Sequence, residues 1–246
     1  MSKVLVTGGR GKLGLELSKL IDAEFIDIQE VDITSKEEIQ KWIRKGDYQV
    51  VFHLAADTNL DRCEKDHEWA HRVNVLSTQY IAEAVEEIVG LLVYPSTDYI
   101  FDGEKGKYKE DDAPNPVNYY SMTKLLSEYI VRGVKEHLVM RGTMKERGKW
   151  RHPVAPSDMF ESLLHHDEYA EFMVKLVERG ARGTFHVGKG RYSVYEWAKN
   201  SDTVVQPKTI DEIGFPLPRD CSLDTTKMER FLSENPNVKI KIRKES

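Results

Sequence analysis

Val4-Leu5-Val6-Thr7 is a short apolar, β-branched run that breaks directly into Gly8-Gly9-Arg10-Gly11-Lys12-Leu13-Gly14. Gly8, Gly11 and Gly14 fall three apart, and residues 13–21 beyond them carry apolar side chains at helical spacing. A strand, a glycine turn and a helix start in that order constrain the fold more than any other feature of the chain. Small residues there let the backbone approach a pyrophosphate, and the helix N-terminus offers unpaired N–H donors to the anion. Three glycines alone are common in loops. Their place after the first strand of an alternating pattern favours the dinucleotide reading.

The alternation continues. Strands are expected over residues 24–28, 49–53, 91–96 and 137–141, and helices over 36–45, 67–89 and 118–132, with Gly133 placed to end the last. Near-continuous apolar strands between helices imply an α/β fold, a Rossmann-type doubly wound parallel sheet covered on both faces. Past residue 141 a helix is expected over 157–179, a strand over 183–188 and a short helix over 193–199; the alternating run 238–243 suits a half-exposed edge strand. The expected organisation is a dinucleotide-binding domain in residues 1–141, with strand 183–188 added to its sheet. Most of 142–246 then forms a small, shortened substrate lobe interleaved with it. A chain of 246 residues can bury one good core and a smaller second lobe.

The formal net charge of −5 argues against a general nucleic-acid binder, which needs a basic face. Cys63 and Cys221 lie far apart with no metal-like spacing, and two reduced thiols are expected. His165-His166 point to different helical faces without ligand spacing, so no metal is expected. The first residues run straight into a strand, and no segment approaches the ~18 apolar residues of a membrane span. A soluble, cytoplasmic protein is expected.

The choice of dinucleotide stays open at this point. Arg10 and Lys12 are placed to reach a 2′-phosphate and favour NADPH; Asp27, near the end of the second strand, is placed to accept from a free ribose hydroxyl and favours NADH. The lean is to NADPH. Asp32-Ile33 either borders the adenine or forms a capping turn before the next helix.

Ser96-Thr97-Asp98 ends the fourth expected strand, and Tyr120 and Lys124, four apart, open the helix that follows. Ligands of parallel α/β sheets bind outside the carboxyl ends of strands, which puts Thr97 on the crevice of the glycine turn. Met122, Leu125, Leu126 and Tyr129 fall on the opposite side of that helix, so the expectation is an inward apolar stripe with the Tyr/Lys pair facing the other way. The residue types suit carbonyl reduction: hydride addition leaves an alkoxide that must be protonated, a phenol can supply the proton if a nearby ammonium lowers its pKa, and a hydroxyl can orient the carbonyl. A Tyr–x–x–x–Lys pair by itself often marks only a solvated face; the preceding strand and glycine turn give it weight here. Residues 102–116 form a turn-rich loop, expected at the rim of the pocket.

These motifs resemble a known family. Thr7 to Gly14, His53-Leu54-Ala55-Ala56-Asp57-Thr58, Asp61-Arg62-Cys63-Glu64, Val73-Asn74-Val75, Ser96-Thr97-Asp98-Tyr99-Ile100-Phe101-Asp102-Gly103 and Pro116 to Leu125 follow in the order found in dTDP-4-dehydrorhamnose reductases. Those are extended short-chain dehydrogenases, and the resemblance covers about residues 3–141. It implies Thr97, Tyr120 and Lys124 as the catalytic set. It also implies a cofactor site of the glycine turn with Asp27, Asp32, Ile33, Ala55, Ala56, Asp57 and Thr58, and sugar contacts from Thr97 and Asp98. Asn74 matches a position that holds the active-site helix and a water. Arg219 is a candidate for the substrate diphosphate. Ser121 stands where the family has Gly, the stretch after Arg141 is short, and the aromatic usual there is missing.

The implied activity is hydride transfer from NADPH or NADH to C4 of a nucleotide-diphosphate 4-keto-6-deoxysugar, in the manner of rhamnose biosynthesis, with Tyr120 as proton donor. Expected partners are that nucleotide sugar and, in a homodimer, a second copy of the chain. Two rivals stand beside this: an epimerase or dehydratase using tightly held NAD, and a non-catalytic regulatory subunit resembling the β subunit of methionine adenosyltransferase.

Overall fold

The computed structural model describes residues 2–148, 150, 152–201, 204–214 and 216–244. The ends of the two expected domains, residue 1 and residues 245–246, lie outside the described residues.

In chain order the elements begin β1 (Val4–Thr7), α1 (Lys12–Leu20), β2 (Glu24–Ile26), α2 (Lys36–Gly46), β3 (Val50–His53), α3 (Leu60–Lys65) and α4 (His67–Ala70). A π-helical segment, His71–Leu76, leads into α5 (Ser77–Glu87), β4 (Leu91–Pro95), α6 (Tyr119–Arg132) and β5 (His137–Arg141). Short strands follow: β6 (Thr143–Lys145), β7 (Val154–Pro156), β8 (Phe160–Glu161) and β9 (Leu163–His165). Then come α7 (His166–Glu178), β10 (Gly183–His186), β11 (Tyr192–Ser193), α8 (Val194–Ser201), β12 (Gln206–Lys208) and α9 (Thr226–Glu234).

Six strands form one sheet in the order β10-β5-β4-β3-β1-β2, parallel throughout. The chain leaves β1 outward to β2, then returns to β3 on the other side, so the strand order reverses beside β1. A crevice opens at that point, at the strands' carboxyl ends. One face of the sheet packs Val4, Val6 and Phe52 against Leu13 and Leu17 of α1, Met173 and Leu176 of α7 and Met228 of α9. The other packs Leu5, Val51 and Leu92 against Ile39 and Ile43 of α2, Ile81 and Val85 of α5 and Val131 of α6. Strands buried on both faces explain the near-continuous apolar runs.

Three expectations are corrected. The helix expected over 157–179 starts only at His166; β8 and β9 occupy the earlier residues and pair with β11 and β6. The start is marked by Glu168, which accepts from the His165 backbone N–H at 2.9 Å. Residues 238–243 make no strand ladder, only an isolated bridge between Ile21 and Arg243. Their alternation has another cause: Ile240 and Ile242 pack into the core while Arg243 pairs with Glu171 and Glu178. The apolar stripe of α6 is split. Leu125 is buried as expected, but Met122, Leu126 and Tyr129 are exposed, and Lys124 is buried against the sheet.

The expected helix 67–89 is interrupted by the π turn. The loop 102–116 is stitched to the C-terminal segment, Tyr108 N–H donating to Ser222 O at 2.9 Å and Asp224 N–H to Tyr108 O at 2.8 Å. Cys63 and Cys221 are free and buried. Among the described residues no helix is long and apolar enough to cross a membrane, and no cluster of metal-ligating side chains occurs.

Candidate active site

A cavity of 560 Å³ lies at the carboxyl ends of the central strands. Gly8, Gly11, Lys12, Leu13 and Gly14 line it, with Leu54, Ala56 and Thr58 from the loop after β3. Gly8 sits at φ +70°, and a Cβ there would come within 2.7 Å of the Ala55 nitrogen. A Cβ on Gly14 would lie 2.6 Å from the Gly8 and Gly9 carbonyl oxygens. Gly11 caps α1 with no side-chain bond to the free N–H groups, which leaves the first-turn donors for an anion. The turn therefore fits a dinucleotide pyrophosphate.

Thr97, Tyr120 and Lys124 line the same cavity. Thr97 caps a short turn at the end of β4, its hydroxyl accepting from the Tyr99 N–H at 3.2 Å. Asn118 caps α6 through the Ser121 N–H at 2.9 Å, and its carboxamide oxygen also accepts from the Ser121 hydroxyl at 2.6 Å. A serine where the family has glycine thus reinforces the cap. Lys124 Nζ donates to the Pro95 carbonyl at 2.8 Å and lies 4.0 Å from the Tyr94 ring centroid. Burial lowers its pKa to about 7, with Glu128 opposing. Tyr120 is pushed above the ordinary phenol value by burial, then by the charges of Asp98 and Cys63, while the Thr97 hydroxyl pulls it back.

Below these groups Arg141 and Glu128 form a buried ion pair, and Ser96 donates to Glu128 at 3.0 Å. The pair joins the ends of β4 and β5 to α6. Asn74, in the π-helical segment, accepts from the Asp57 N–H at 2.8 Å and donates to Thr123 Oγ1 at 2.9 Å. It links the loop after β3 to the Tyr/Lys helix.

Other expected residues lie elsewhere. Asp98 is fully buried behind Thr97 and does not line the cavity. Arg219 pairs with Asp158 and Asp211 on the surface, because its helix-free segment packs against β8 rather than over the cleft. Arg10 pairs with Glu30, and Asp27 accepts the Arg10 backbone N–H at 3.0 Å. Asp32 accepts from the Thr34 N–H and hydroxyl, each at 2.8 Å, in a turn that precedes the Ser35 cap of α2 without bonding the helix; Ile33 packs on the α2 side of the core. Ala55 lies under Gly8, and the Asp57 carboxylate is taken by Arg62 and Trp69. Residues 102–116 contribute nothing to the cavity lining.

Several lining residues escaped the sequence reading: Tyr99, Thr143, Lys145, Trp150, His152 and Trp197. Trp150 and Trp197 supply aromatic walls. Tyr99, two residues from Thr97 in the most specific motif, carried a signal; Trp150 and Trp197 reach the cleft only through the short strands.

A doubly wound parallel sheet with a glycine turn and a Tyr–x–x–x–Lys pair on one crevice defines a short-chain dehydrogenase/reductase. The family described as RmlD substrate binding domain matches residues 2–145. A dTDP-4-dehydrorhamnose reductase from Aggregatibacter actinomycetemcomitans is 36% identical over 138 residues, 53% of this chain and 47% of that protein. The chain thus aligns with about half the length of that relative. The spore coat polysaccharide biosynthesis protein SpsK of Bacillus subtilis is 30% identical over 249 residues, 89% of this chain and 87% of that protein. The structure of a dTDP-4-dehydrorhamnose reductase from Bacillus anthracis in complex with NADP superposes with TM-score 0.86 at 23% identity, covering 98% of this chain and 95% of that one. The chain belongs to the dTDP-4-dehydrorhamnose reductase family.

Proposed function

We propose that the chain is an NADPH-dependent reductase of the C4 keto group of a nucleotide-diphosphate 6-deoxysugar. The observation that carries this is the shared cavity of the glycine turn, Thr97, Tyr120 and Lys124. Residues 2–141 and β10 would serve the cofactor, and most of the remainder the sugar nucleotide. NADPH is favoured over NADH by the NADP complex of the Bacillus anthracis protein, while Arg10 and Lys12 at the turn are ion-paired with Glu30 and Glu146.

When bound, the nicotinamide supplies hydride to the carbonyl carbon and becomes positively charged. Tyr120 gives its phenolic proton to the carbonyl oxygen as negative charge develops there. In the buried cleft the phenol is a weak acid, so it needs neighbouring positive charge to act. Lys124, one helical turn away and partly protonated near neutral pH, would supply it in its ammonium form, and the Pro95 carbonyl fixes its direction. Thr97 donates a second hydrogen bond to the same oxygen.

Incubating the protein with NADPH and a panel of nucleotide 4-keto sugars, and following loss of nicotinamide absorbance, tests the reading. Turnover supports it. Retained NAD with no net NADPH consumption would point to an epimerase or dehydratase, and binding without turnover to a regulatory subunit. A homodimer is part of the reading, with the exposed Met122, Leu126 and Tyr129 available to a second copy; light scattering tests it.

A further inference from the structure

Behind Thr97 lie two acids that the proposed chemistry does not use. Asp98 and Glu161 are both fully buried. Asp98 Oδ1 accepts from the Thr97 hydroxyl at 3.3 Å and from the Thr143 hydroxyl. Its Oδ2 is buried with no hydrogen-bond partner among the described residues. Glu161 accepts from the Tyr99 hydroxyl at 2.6 Å, and its other oxygen, also buried with no hydrogen-bond partner among the described residues, is ion-paired at 3.1 Å with Lys145 Nζ. Two carboxyl groups therefore share one ammonium, and that ammonium sits on Glu161.

A buried carboxylate with a bare oxygen is costly, whereas a carboxylic acid carries no charge and leaves only an unpaired O–H there, the smaller cost. We propose that Asp98 is a positioning residue that keeps a proton on Oδ2 and thereby leaves the Thr97 hydroxyl free to donate into the cleft. Thr97 has a single O–H hydrogen. An ionised Asp98 draws it to Oδ1; a protonated Asp98, already satisfied at Oδ1 by Thr143, is a weaker acceptor, and the hydrogen turns to the substrate oxygen beside Tyr120. The Tyr99 N–H holds the Thr97 oxygen in place either way.

The charges around Asp98 fit this assignment. It faces Glu161 of β8, Thr143 and Lys145 of β6, Tyr99 of the turn, Tyr120 of α6, Tyr169 of α7 and Cys221 of the C-terminal segment. Burial and then Glu161 push the Asp98 carboxyl up, to about 7, against the opposing pull of Thr143 and Lys145.

The kinetic part of this inference rests on the reductase reading, but its first test needs no substrate. Difference infrared spectra of the protein alone, recorded across neutral pH, should contain a carboxylic-acid band that titrates there. The band should vanish in Asp98→Asn and titrate at lower pH in Glu161→Gln, which also serves if Asp98→Asn does not fold. Bands unchanged in a folded variant would overturn the proposal. With substrate, the ratio of hydride-transfer rates at pH 6 and pH 8 should shrink in Asp98→Asn by up to about tenfold, the change in protonated fraction of one group titrating midway. Lys124 titrates in the same range in both proteins and cancels from the comparison. A uniform loss of rate at both pH values would mark a merely structural role and overturn the assignment to Thr97.

Discussion

Asn74 Nδ2 donates to Thr123 Oγ1 at 2.9 Å while its Oδ1 accepts from the Asp57 backbone, so one buried side chain fixes the spacing between the loop after β3 and the helix of Tyr120 and Lys124. It sits in the π-helical turn His71–Leu76, which aims it at both partners. Asn74→Ala would leave the Asp57 N–H unsatisfied and its carbonyl with only the weak Cys63 S–H, at a cost of about 1–3 kcal/mol. The expected result is a lowered urea midpoint together with a fall in kcat. A variant with full kcat would show that α6 keeps its place without this link.

The glycine turn makes a sharper prediction. A Cβ on Gly14 meets two backbone carbonyl oxygens at 2.6 Å, and neither can swing aside. Gly14→Ala should displace the start of α1 from the anion site and weaken NADPH binding about tenfold or more, roughly 1.4 kcal/mol. Fluorescence titration with NADPH reads it directly.

Much of this was legible in the sequence, for a physical reason. The strands β1, β3, β4 and β5 are buried on both faces, so their apolar runs stand out, and the helices between them show clear periodicity. Thr97 and the glycine turn followed from position at strand ends, and Tyr120 and Lys124 from their spacing of four on the helix that follows. Periodicity gives the angle of a stripe and not which side is buried. On α6 the sheet and cleft took the side bearing Lys124, leaving Met122 and Leu126 outside. In the lobe after Arg141 the strands are two or three residues long and paired to distant partners, β6 with β9 and β7 with β12. Such pairing leaves little local pattern, which is why Trp150 and Trp197 were not placed.

Those two tryptophans should act on substrate and not on cofactor. Trp150 lines the cavity with its indole N–H held by the Val154 carbonyl at 3.0 Å. Trp150→Ala is expected to raise KM for the sugar nucleotide about tenfold with the NADPH Kd little changed, because an aromatic wall contributes roughly 1–3 kcal/mol. Equal effects on both ligands would mean that the lobe itself had shifted.

Stability should fall in mild acid. His53 bridges Thr7 at 2.9 Å and Thr78 at 3.0 Å, and burial lowers its pKa to about 3. His186 is lowered to about 3 by burial and by Arg141. Folded pKa values below the unfolded 6.5 mean that the unfolded chain binds more protons between pH 6.5 and 3. The stabilisation is present above pH 6.5 and is lost as pH falls towards 3. From pH 7 to pH 5 each histidine should cost about 2 kcal/mol, read as a drop in the urea midpoint. A His53→Gln variant should show a shallower drop.

As proton donor, Tyr120 would act on the substrate oxygen from a helix whose Lys124 lines the same cavity. Single-turnover reduction by Tyr120→Phe, beside NADPH binding by the same variant, tests it most directly. Hydride transfer should fall about 10²–10⁴-fold with NADPH affinity close to that of the unaltered protein. Reduction at an undiminished rate would contradict it.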